Sequence, residues 1–392
     1  VLPPLDEVQN ALADQRLDGW LLTDFDGRNP IAVDALGLSV SPPRGRFFVW
    51  LPVTGAPCVV HHPRDRAAFA GLAWPKRPVT SARDLEDTLR DLLPVGARVA
   101  LEYAAGGRAP ALNRVDAGTV DQLRGLGLEL VSSAHLVQWL LCRWDEAQLE
   151  SHRRAAMRLE VTKEAAFHHI GERLRAGRPA FEHEVEALMR GHFAEHGLVS
   201  SEGPTVAVGR HTADPDHQAS ADDPTPIERG QLVRIDLSGK ETAARAAFAA
   251  VTWMAFTGRD PPSEVRQAWD ALRTAREAGL EHLRARHAAG ERVLGCEVDR
   301  SIREVVAAQM PEARCPRRSG HNLGSAALEG AGAALDDVET HDTRPLVVGT
   351  CFTLGPGLYL PDHGLRSTVS VFLASTGPQV FTPSQRTLRM LG

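Results

Sequence analysis

Residues 145–176, DEAQLESHRRAAMRLEVTKEAAFHHIGERLRA, form one uninterrupted helical pattern. Asp145 and Glu146 stand at its start and Gly177 lies just past its end, where helix dipole and capping rules favour acids and glycine respectively. A second helical stretch covers 181–196. Strand-like apolar runs follow at 204–209, 231–238 and 247–256. The order then repeats, with helices near 262–289 and 295–309 and strands near 349–360 and 369–374. Two helices then strands, twice over, is an internal repeat of architecture, although it is not visible as residue identity. Two such halves can pack their strands into one curved sheet with the helices outside. A ligand site would then lie in the concavity between the halves.

Upstream of this repeat the composition changes, near Trp144. Residues 5–16 read as a short amphipathic helix and Trp20–Leu22 as a strand. The runs 46–53 and 56–61 are split by a Thr-Gly turn, which predicts a hairpin. A helix near 84–94 and a strand at Arg98–Tyr103 follow. The expected division is therefore a small α/β domain over 1–143 and a second domain over 144–392. The length of 392 residues suits it, at roughly 100–200 residues per domain.

The formal net charge is -6, with no basic stripe, which argues against a nucleic-acid partner. No apolar run approaches the roughly 18–20 residues that span a bilayer, so no membrane partner is expected. The N-terminal stretch lacks the basic start and apolar core of a signal peptide. The five cysteines are odd in number, widely spread and without CxxC spacing. They read as free thiols in a reducing compartment, and the expected location is cytoplasmic.

Four tracts offer chemistry, each open to a plainer reading. Asp236 ends the apolar run 231–236 before Leu-Ser-Gly, where it can point into a pocket or cap a turn. His321, in Ser319-Gly-His-Asn-Leu-Gly324, can approach a ligand closely or sit on a solvated loop. Arg366, between two apolar strands with Gly and Pro breaks, offers a planar fork suited to a carboxylate. The polar loop His211-Thr-Ala-Asp-Pro-Asp216-His217 follows a strand.

In this order the tracts resemble the pita-bread metallopeptidases, the family of methionine aminopeptidase, aminopeptidase P and prolidase. Asn29-Pro-Ile-Ala, Ile235-Asp-Leu, Val251-Thr-Trp, Gly320-His321-x-x-Gly324, Pro356-Gly-Leu-Tyr and Gly364-Leu-Arg366 carry the resemblance across nearly the whole chain. It is closest to the two-domain proline-specific branch. The fold class it implies is α+β, a creatinase-like N-terminal α/β domain followed by a pita-bread (creatinase/aminopeptidase) domain. The family uses two divalent cations such as Mn, Co or Zn, held by Asp, Asp, His, Glu and Glu. Hard cations need oxygen ligands, and bridging carboxylates let two metals activate one shared water.

By that resemblance the five positions here are Asp236, Ala250, His321, Gly355 and Thr368. Three of the five ligands are absent. The loop histidine that follows the Pro is replaced by Asp216, with His217 one place on. A second histidine position, seven after His321, holds Leu328. Carboxylates packed without metal repel one another, so the neutral replacements read as one coordinated loss. The implied function is a metal-free, catalytically inactive homologue of Xaa-Pro dipeptidase or aminopeptidase P, binding a peptide or small ligand in the former cleft. The alternatives are a metal-independent creatinase-like hydrolase and an active Xaa-Pro peptidase with an altered site. No cofactor is expected, and the remnant ligands Asp236 and His321 are expected to pair with each other, directly or through water, raising the His321 pKa. Asp216, His217 and Arg366 would line the vestigial cleft. Homologous two-domain members imply a homodimer.

Overall fold

The 145–176 pattern becomes a single helix, Glu146–Arg175. Asp145 accepts the Gln148 amide proton at 2.8 Å and the Gln148 side chain accepts that of Asp145 at 3.2 Å, so two otherwise orphaned donors are satisfied reciprocally. Gly177, just beyond the end, takes a left-handed φ of 67°. Ala155, Leu159, Ala166, Ile170 and Leu174 recur at helical spacing on one face and are buried. They pack with Val185, Met189 and Phe193 of the next helix, Glu182–Glu195, against Val206, Ile235 and Val251 of the sheet.

The computed structural model describes every residue of the chain except Val40 and Arg108. It divides into two units, Val1–Cys142 and Arg143–Gly392. In the second unit the strand Leu232–Glu241 is central to its half. It pairs antiparallel with Thr205–Val208 on one side and Ala249–Phe256 on the other. The other half repeats the plan: helices Ser263–Ala288 and Gly295–Gln309 pack on the sheet of Cys351–Leu354, Val369–Ala374 and Gly377–Val380. The two halves join at Thr252 and Thr368, whose backbones exchange hydrogen bonds of 3.3 and 3.4 Å.

The apolar run 349–360 is not one strand. It breaks at Gly355-Pro356 into Cys351–Leu354 and Gly357–Tyr359, and the latter pairs with Gly364–Arg366. Pro356 has no amide proton for a ladder, and the Gly355 amide is drawn off to the Ser319 carbonyl at 2.7 Å.

The first unit holds a six-stranded sheet in which Gly19–Asp24 lies between Phe47–Pro52 and Arg98–Leu101. The hairpin expected over 46–61 is Phe47–Pro52 with Cys58–His61. Asn29 caps the helix Pro30–Ala35 and also donates to Glu102 at 2.9 Å, as the Trp20 indole does at 2.7 Å. Burial pushes the Glu102 carboxyl up, against these two hydrogen bonds. None of the five cysteines is in a disulfide. Among the described residues no helix is long and apolar enough to cross a membrane.

Candidate functional site

A cleft of about 430 Å³ in the second unit is lined by Asp216, His217, Asp236, Ala250, His321, Leu328, Arg366 and Thr368. Gly355 lies behind Thr368: a Cβ added there would stand 2.2 Å from Thr368 Oγ1. Asp236 and His321 thus face one cavity, although 85 positions separate them in the chain.

Residues two apart on a strand share a face, so Arg234 and Asp236 project together. Arg234 Nε lies 2.8 Å from Asp236 Oδ2. The other carboxylate oxygen accepts the Thr252 hydroxyl proton at 2.5 Å. Thr252 is directly opposite Asp236 in the ladder. Thr252 Oγ1 is also 2.9 Å from Thr368 Oγ1. A hydroxyl has one proton to give, so the polar chain runs from Thr368 through Thr252 to the carboxylate. Arg234 is fully buried and its remaining nitrogens donate to the carbonyls of Thr212 and Asp214, each at 3.1 Å. One guanidinium therefore compensates Asp236 and ties down the 209–217 loop.

A direct pairing of Asp236 with His321 is not formed. His321 Nδ1 donates to the Asn322 carbonyl at 3.0 Å, which leaves Nε2 as the acceptor. Burial pushes the imidazole pKa down, against the pull of Glu329, and not up as the pairing required. Asp236 has its partner in Arg234, so nothing draws an imidazolium to it.

His217 lines the cleft and is held there by Glu182. Its Nε2 is turned to Glu182 Oε2 at 3.0 Å. Asp216 is ion-paired with Arg317, and Glu329 with Arg318. Arg366 makes no side-chain hydrogen bond or ion pair among the described residues. Burial opposes its charge and Asp236 favours it, leaving its pKa above the ordinary value. Sequence reasoning passed over Arg234, Thr252 as a hydrogen-bond donor, Arg317 and Glu182. Arg234 had a signal, its position two before Asp236 on a strand.

Metallopeptidase family M24 is matched over residues 151–375, more than half of the chain. The chain belongs to family M24. Over 195 residues it is 25% identical to a Mycoplasma pneumoniae protein provisionally named an Xaa-Pro aminopeptidase, a match covering 47% of this chain. The chain spans about half (50%) of the length of that relative. Among solved structures, dipeptidase PepE of Mycobacterium ulcerans superposes with a TM-score of 0.71 at 20% identity, covering 99% of this chain and 96% of that one. The Xaa-Pro dipeptidase of Bacillus anthracis gives 0.68 at 17%, covering 98% and 99%. The prolidase of Thermococcus sibiricus gives 0.66 at 17%, covering 98% of each. At these identities the likeness is one of fold: the creatinase-like N-terminal domain and pita-bread domain.

M24 membership implies a pair of divalent cations, and the residues present do not fit one. Both oxygens of Asp236 are engaged, by a guanidinium and a hydroxyl. Ala250 presents a methyl group, the Thr368 hydroxyl is committed to Thr252, and Gly355 has no side chain. Among the described residues two groups of three donor side chains converge, Glu182–His211–His217 and Cys296–Asp337–His341. Neither contains Asp236 or His321.

Proposed function

We propose that this M24 chain binds a peptide or another small carboxylate-bearing ligand in its cleft, without a bridged pair of catalytic cations and without Xaa-Pro peptidase activity. The observation that carries this is an exchange of partners. Arg234 supplies at Asp236 the positive charge that cations supply in a working site, while Arg366, on the same cleft, makes no side-chain hydrogen bond or ion pair among the described residues. A half-buried guanidinium with free N–H groups is a ready seat for a carboxylate, which it grips through two parallel hydrogen bonds. Cytoplasmic residence and a homodimeric assembly belong to the same reading, and light scattering of the purified chain checks the latter.

The test uses Ala-Pro and Gly-Pro. Each should bind by calorimetry without being cleaved, with or without added manganese, cobalt or zinc. Arg366→Lys should weaken binding by roughly 10-fold or more, because a point charge cannot reproduce the planar fork. Two metal ions per chain that depend on Asp236, or turnover abolished by a chelator, would sink the proposal. Turnover of a small guanidino compound that survives a chelator and falls with His321→Ala would put the metal-independent hydrolase in its place.

A further inference from the structure

We propose that Glu182, His211 and His217 form a mononuclear binding site for Zn²⁺, separate from the five family positions. His211 Nδ1 lies 3.1 Å from both Glu182 oxygens, and His217 Nε2 lies 3.0 Å from Oε2. The three donor atoms all fall within 4.8 Å of one another. Tetrahedral zinc with bonds of roughly 2.0–2.1 Å sets its donors about 3.3 Å apart. The two histidine–Glu182 separations need to widen by only about 0.2–0.3 Å to admit the ion.

The site is built before any ion arrives. Glu182 opens the helix Glu182–Glu195 and is 2% exposed, and its Oε1 is held by the Val208 amide at 2.6 Å. His211 lies in the short helical turn Gly209–Ala213, which Thr212 closes through Gly209 O at 2.6 Å. Arg234 anchors the same loop through two carbonyls. The two imidazoles stack with centroids 4.0 Å apart, both ring nitrogens aimed at one carboxylate. Without an ion, each ring must hold its proton on the nitrogen facing Glu182. A divalent cation takes the place of both N–H donors, each ring's proton shifting to its other nitrogen, and is held by the three ligand atoms at once.

Two imidazoles and one carboxylate favour zinc and its late first-row neighbours over magnesium, calcium or manganese. His211 is 38% exposed and His217 15%, which leaves an entry path and an open fourth position for water. His217 also lines the cleft, so the ion would stand at its wall. The Cys296–Asp337–His341 group lacks this character. Arg300 grips both oxygens of Asp337, at 2.9 and 3.0 Å, and burial pushes the Cys296 thiol up, away from the thiolate a metal needs.

The experiment titrates Zn²⁺ alone into chelator-stripped, dialysed protein by calorimetry, with Co²⁺ absorption as a second readout. We expect one equivalent per chain and visible bands of tetrahedral cobalt. His211→Ala and His217→Ala should each weaken binding at least 10-fold, with thermal melting of the metal-free variants close to that of the parent. His341→Ala should change nothing. Lack of stoichiometric binding, an adventitious ion only, or binding indifferent to both histidine substitutions would overturn the site. Two equivalents lost with Asp236→Asn would instead place the ions in the family positions and overturn the proposed function, so the two failures are distinguishable.

Discussion

Arg234 is where the character of the cleft turns. A strand residue with its side chain 1% exposed brings a full positive charge under a carboxylate that is itself 23% exposed. Removing one member leaves the other uncompensated, and that loss costs more than the pair contributes. Arg234→Ala should therefore destabilise the chain by about 2–4 kcal/mol in urea unfolding, helped by loss of the two loop carbonyl contacts. Asp236→Asn should also destabilise it. The double variant should lose less than the sum of the single losses, because no buried charge is then stranded. Strict additivity would show that the pair is not coupled. The i, i+2 spacing of Arg234 and Asp236 is legible in the sequence. Whether a guanidinium on a strand face turns to its neighbour or to solvent depends on what covers that face, and here the 209–217 loop covers it.

At the scale of elements, the long helix is held to its sheet in part by His152. Its Nδ1 donates to the Phe248 carbonyl at 2.8 Å, and its ring lies 5.0 Å from Trp144 and 5.7 Å from Phe381. Burial pushes its pKa down to about 4. Above pH 6.5 the ring is neutral folded or unfolded and contributes no pH dependence. As pH falls from about 6.5 towards about 4, the unfolded chain takes up a proton that the folded chain refuses, and stability falls. The full difference, reached below pH 4, is on the order of 3 kcal/mol. Urea midpoints between pH 7 and pH 4 should drop more steeply for the parent than for His152→Gln, and equal slopes would rule His152 out. The helix itself is readable from its caps and apolar spacing. The break at Gly355-Pro356 is less so, because the Ser319 carbonyl that captures the Gly355 amide lies 36 positions away.

At the scale of the whole molecule, we expect that restoring the family ligands alone does not build a two-cation site. From the sequence, Ala250→Asp, Gly355→Glu and Thr368→Glu together are the minimum repair. The backbone at Gly355 is not left-handed, so main-chain angles are not the obstacle. The obstacle is volume and charge: a Cβ at 355 meets Thr368 Oγ1 at 2.2 Å and Cβ at 2.8 Å. Replacing Thr368 with Glu removes the hydroxyl but keeps that Cβ. Arg234 would still hold Asp236. We expect the triple variant to fold less stably and to show no manganese-stimulated cleavage of Ala-Pro. Cleavage by that variant would show that Arg234 can give way to a cation.

The helical and strand periodicities and the ordered tracts around Asp236, His321 and Arg366 are local properties, so the sequence by itself determined the repeated architecture, the family and the positions where carboxylates are missing. Partner choice is not local. The tertiary structure alone decided that Asp236 belongs to Arg234 and Thr252, that His321 is driven towards its neutral form, and that His217 at the cleft wall is engaged by Glu182. Each outcome depends on which charges and dipoles lie within a few ångströms across the fold, and Glu182 is 35 residues from His217 along the chain. Burial strengthens those nearby interactions and penalises any charge left without one.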